Sequence, residues 1–157
     1  MDGSAVEKGD VQRRSKNRAA EKKPAIRMNH IPKIIIKPIE PENHRYDTSG
    51  DYFYDREDDT LTIYVSRMQD WRSELAVAIH ELFESVACLA ADVDQTDIDL
   101  FDMEYERKRP ETDLSEPGDS KEAPYHTQHV GATFVEREAC SQSGLPWAKH
   151  EENVNDA

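Results

Sequence analysis

The sequence predicts an α+β fold: a small β-hairpin or three-stranded sheet packed on about three helices, preceded by a disordered basic tail. Three observations carry this. Residues 60–66, TLTIYVS, alternate Leu61, Ile63 and Val65 with polar partners, the period of a half-buried strand. Leu75, Ala78, Ile79, Leu82, Phe83, Val86 and Leu89 then recur at helical spacing, the strongest helical signal in the chain. Between them the spacing changes from two to three or four residues, so strand and helix follow one another in a single domain.

The elements follow in order. Residues 1–29 have no hydrophobic periodicity and are rich in Lys, Arg, Glu and Ala, which predicts a disordered leader; Met28 is an alternative start. Residues 31–39, IPKIIIKPI, are short, β-branched and bracketed by prolines, as suits an edge strand. Tyr52 to Asp55 and Thr60 to Ser66 form the hairpin around the acidic turn Arg56 to Asp59. Asp70 caps the first helix, which runs to about Ala91. Thr96, with Asp99 three residues on, opens a second helix that carries Ile98, Phe101 and Tyr105 and stops before Pro110. Residues 108–123 hold almost no apolar side chains and predict a mobile acidic loop within the domain, 30–148. Pro124 starts a third helix ending near Ser141, Leu145 and Trp147 fold back on the core, and 149–157 are expected to fray.

Composition narrows the function classes. The 157 residues carry a net charge of -13, unevenly spread: 1–29 hold eight basic and four acidic residues, and the rest is 12 against 29, or -17. Such a body repels a phosphate backbone, so no nucleic acid is expected on it, although the basic tail could make weak contact. No segment has the length and apolarity of a membrane span or a signal peptide, so no membrane partner and a cytoplasmic location are expected. Cys88 and Cys140 have neither disulfide-framework nor CxxC spacing, and Cys88 reads as a small buried hydrophobe.

The chemistry concentrates in IHELFE, 79–84. On a helix His80 and Glu84 are four residues apart and share a face, so one metal ion can bind both. Glu81, 100° round, is placed to orient a water and take its proton. A solvated helix flank would carry the same residue types, so a third ligand is needed. PYHTQHVGATF supplies it: His126 and His129 lie on one face of the third helix, and either could complete the site. Zinc accepts imidazole and carboxylate together, and other divalent metals are compatible.

Gly50 to Val86, with strand, hairpin and an HExxE helix in that order, resembles the core of the zincin metallopeptidases. The resemblance implies His80 as first metal ligand, Glu81 as general base, Glu84 in the second ligand position, and His129 or His126 as the third. It implies a metal-dependent hydrolase acting on a peptide or small molecule. The motif departs from the family at its last position, where Glu84 stands in place of histidine. The chain, with APYHTQH, also resembles small bacteriophage-encoded proteins, which implies a host cytoplasm.

Two other readings compete. The acidic body would suit a non-catalytic accessory protein that binds a basic host or phage partner. Glu74, Glu81, Glu84, Asp102, Glu106 and Glu136, spread over three helices, could instead hold two Mg²⁺ or Mn²⁺ ions for nucleotide phosphohydrolysis. That last reading predicts helices, not strands, ahead of the carboxylates.

Overall fold

The computed structural model describes residues 29–157; the basic segment 1–29 lies outside them except for its last residue. The architecture is α+β, a three-stranded mixed sheet with four helices. Strands β1 (Lys33–Ile39), β2 (Gly50–Asp55) and β3 (Thr60–Ser66) lie in the order β1-β3-β2. β1 pairs parallel to β3, and β2 pairs antiparallel to it as the expected hairpin. The hairpin turn forms because the Asp55 carboxylate accepts from the Glu57 and Asp58 amides, and Asp59 takes the left-handed conformation (φ 50) that Asp tolerates.

The alternation of β3 is realised as burial. Leu61, Ile63 and Val65 are almost fully buried against Val77, Ala78 and Cys88 of helix α1 (Trp71–Ala90) and Ile98 of helix α2 (Gln95–Lys108). Each such aliphatic side chain contributes about 1.5–3 kcal/mol. Asp70 caps α1 as expected, its carboxylate accepting from the Arg72 amide at 2.9 Å. The cap of α2 is Asp94 rather than Thr96: its carboxylate, a stronger acceptor than a hydroxyl, takes the Thr96 amide at 2.7 Å.

Helix α3 (His126–Gln142) begins two residues after Pro124 and makes its most extensive packing with α1. Ala76 of α1, Cys140 of α3 and Leu145 form a second small core with Trp147 against it. The C-terminus departs from expectation. Residues 149–157 do not fray; helix α4 spans Trp147–Asn155. It docks because His150 and Asn153 are buried, and the Asn153 amide donates to Ser73 Oγ of α1 at 2.9 Å. The acidic loop also carries structure of its own, a 3-10 turn at Pro117–Asp119 capped by Glu116.

Candidate metal centre

Helices α1 and α3 bring four ionisable side chains face to face. From α1 come His80 and Glu84, one turn apart; from α3 come His129 and Glu136, two turns apart; all four are buried. The rings of His80 (6% exposed) and His129 (4% exposed) meet edge to face with centroids 4.9 Å apart.

Each imidazole is oriented by a carboxylate. His80 Nδ1–H donates to Glu136 Oε2 at 2.9 Å, and His129 Nδ1–H donates to Glu84 Oε2 at 2.9 Å. This carboxylate–histidine arrangement fixes the tautomer of a metal-binding imidazole and leaves Nε2 as the ligand atom. On the open side stands Glu116, whose half-exposed carboxylate lies 3.3 Å from His129 Nε2; Asp119 lies 3.5 Å from the same nitrogen. His80, Glu116 and His129 form a group that could hold a metal ion, one ligand atom from each lying within 4.8 Å of the others. Ligands about 2.0–2.2 Å from one tetrahedral ion stand about 3.4 Å apart, close to the 3.3 Å between Glu116 and His129 Nε2.

Electrostatics favour a cation here. Burial opposes charge on both imidazoles, yet the hydrogen bonds to Glu136 and Glu84 hold His80 well above the usual imidazole range. His129 is likewise pushed up to about 10 by Asp119 and Glu84 against the cost of burial. Glu136 is drawn down to about 2, its burial outweighed by hydrogen bonds from His150 and His80. The surrounding carboxylates thus favour positive charge at both rings, the charge a divalent ion would supply when it displaces protons from ligand nitrogens.

Glu81 lies beside this group. It lines the same cavity, of about 520 Å³, together with His80, Glu84, Glu116 and His129. Burial, with Glu84 beside it, pushes its carboxyl well above the usual range. β2 leaves room for it: a Cβ at Gly50 would stand 2.5 Å from Glu81 Oε1. Gly118 plays the same part for the acidic loop, where a Cβ would overlap the His129 ring. Gly118→Ala is therefore expected to destabilise the protein by about 1–3 kcal/mol, read from the urea midpoint, as overpacking does at buried sites.

Among the residues that the sequence singles out, the structure brings His80, Glu81, Glu84 and His129 together. Glu84 is engaged with His129 Nδ1 while its Oε2 also lies 3.4 Å from His80 Nε2, so it stands between the two rings and orients one of them. His126 stands apart, its Nδ1 within 2.8 Å of the Gly118 carbonyl, which fastens the acidic loop to α3. Glu116 and His150 are the contributions that sequence reasoning missed. Glu116 is one of many acids in a segment without periodicity; its only signal is Gly118 two residues on. His150 had a signal, the Trp147, His150, Val154 spacing of an amphipathic helix. Glu136 was legible only as one carboxylate of the two-metal set.

At the far side of the cavity Asp102 accepts from Tyr125 at 2.7 Å and Tyr46 at 3.3 Å. Burial pushes its carboxyl up to about 7, although both tyrosine hydrogen bonds pull the other way. A carboxyl raised in the folded state favours folding fully below the unfolded value, about 3.9, and that contribution is lost as pH rises through about 7. The interval corresponds to at most about 4 kcal/mol. Asp102→Asn, which stays neutral, is expected to melt higher than the wild-type protein at pH 8 and close to it at pH 4, as thermal denaturation at the two pH values would show.

No protein-family model matches this chain, and no match is found among curated proteins or solved structures. Among the described residues, no helix is long and apolar enough to cross a membrane.

Proposed function

We propose that the protein is a metal-dependent hydrolase of zincin-like design, with zinc as the preferred ion and a peptide or small amide as substrate. The observation that carries this reading is the pair of carboxylate-oriented imidazoles, His80 with Glu136 and His129 with Glu84, converging with Glu116 at the wall of a cavity. Two nitrogens and a carboxylate oxygen are a donor set that zinc accepts, and three protein ligands leave a position open for chemistry. Zinc bound there would supply Lewis acidity toward a carbonyl and acidify water.

The chain's own residues account for the rest. Glu81, held over Gly50 at the cavity wall, takes the proton of the attacking water and passes it to the leaving amine, so the bond to the carbonyl carbon forms as the amide bond breaks. Burial raises the Glu81 carboxyl, which makes its carboxylate a stronger base toward water than an exposed one. Gly50, Asp51 and Tyr52 of β2 line the same cavity, so a substrate held there lies against this strand, whose outer edge is bonded by the Gln95 side chain. The strands that precede the carboxylate-bearing helices give the two-metal phosphohydrolase reading no support.

The test is hydrolysis of a mixture of internally quenched peptides by protein stripped of metal and then reloaded with zinc. Cleavage that appears on reloading and is lost again with a chelator supports the reading. A reloaded protein that binds zinc but cleaves nothing in the mixture, and whose His80→Ala variant has the same biological effect, would turn it toward a structural site.

A further inference from the structure

We infer that His150 of α4 is a positioning residue for the metal centre, acting through Glu136 on the ligand His80. The inference rests on the metal-centre reading. Glu136 uses both carboxylate oxygens: Oε2 accepts from His80 Nδ1 and Oε1 from His150 Nε2, each at 2.9 Å. One hydrogen bond would leave the carboxylate free to swing about its terminal torsion; the second, from a separate helix, removes that freedom. The His80 ring is thereby aimed by a three-member chain running from α4 through α3 to α1.

Packing alone does not account for an imidazole at this position. His150 is 1% exposed, and its Nδ1 is buried without a hydrogen-bond partner among the described residues. Burying an unpaired polar nitrogen is unfavourable, a cost that an aliphatic side chain of similar size would avoid. The compensating feature is the Nε2–H bond to Glu136, and Trp147, with its ring centroid 5.0 Å away and tilted by 46°, holds the imidazole in the orientation that makes it. The α4 helix also has a tie that bypasses the chain, Asn153 to Ser73. Anchoring the helix and aiming His80 are therefore separable by mutation.

The experiment measures the zinc dissociation constant by competition with a chromophoric chelator, and the melting temperature of the metal-free protein, on the same samples. His150→Leu is expected to weaken zinc binding about 10- to 100-fold, the usual cost of losing an outer partner of a ligand. His150→Gln, whose amide reaches the position of Nε2, is expected to restore affinity to within about threefold of wild type. Asn153→Ala is expected to lower the melting temperature and leave the affinity unchanged. Wild-type affinity in His150→Leu, or a loss in Asn153→Ala as large as in His150→Leu, would overturn the inference. If His150→Leu does not fold, His150→Asn replaces it: its shorter amide stops short of Glu136, so weaker binding than in His150→Gln supports the role and equal binding overturns it. Zinc binding by the wild type with no effect at position 150 removes only this inference; absence of zinc binding by the wild type removes the metal-centre reading with it.

Discussion

Glu81→Gln is expected to leave zinc bound with near wild-type affinity while hydrolysis per bound ion falls about 10²- to 10⁴-fold, the range that a positioned proton-transfer group contributes. The two side chains have nearly the same shape, so the close approach over Gly50 is kept and the cavity wall stays as it is. What is lost is the capacity to accept a proton from water. Because Glu81 is not in the group His80, Glu116 and His129, the substitution separates chemistry from binding. Parallel measurements of zinc content and peptide cleavage check it. A matching loss of zinc would place Glu81 among the ligands, and full activity would remove its role as base.

His129→Ala is the second large effect, and it falls on binding. It takes one of the three proposed ligands and strips Glu84 of the Nδ1–H that it accepts, leaving a buried carboxylate with one partner fewer. Zinc affinity is expected to drop by more than the roughly 10- to 100-fold of an outer-sphere change. Glu84 keeps only His80 Nε2, at 3.4 Å, so stability should also fall, by less than the about 3–5 kcal/mol that breaking a fully buried pair costs. His126→Ala serves as the contrast. Its ring fastens Gly118 from outside the ligand group, so its effect on zinc affinity should be the smaller of the two. Equilibrium titration of the three proteins distinguishes them, and equal losses from His126→Ala and His129→Ala would speak against the assignment of ligands.

The fold was legible where local pattern decides it. β3 alternates and α1 starts at its carboxylate cap, both as the sequence predicts, but Leu75, Phe83 and Val86 of the predicted stripe are exposed, because α1 turns Val77, Ala78, Cys88 and the ionisable His80 and Glu84 inward instead. α4 was obscured because nine residues with three charges read as a tail; what holds them is the burial of His150 and Asn153 against other helices, a tertiary effect with little local trace. The site divides in the same way. His80, Glu81 and Glu84 lie within one turn and a third of helix, so their juxtaposition follows from helical geometry. His129 was legible as one of a pair, and only the rotation of α3 against α1 separates it from His126. Glu116 comes from a segment without periodicity, and its approach to His129 depends on how the chain turns at Gly118. Glu84 also has a partner that helical spacing alone does not show: the neighbouring helix offers it the Nδ1–H of His129 while its Oε2 stays 3.4 Å from His80 Nε2.

The central claim is that one ion is held by two imidazoles and a carboxylate between α1, α3 and the acidic loop. X-ray absorption at the zinc edge of the full-length protein loaded with one equivalent tests it most directly. The account predicts one tightly held zinc per chain with two imidazole ligands, oxygen in the remaining positions and no sulfur, becoming a single imidazole in any zinc retained by His129→Ala. A spectrum without imidazole, or one unchanged by His129→Ala, would contradict it.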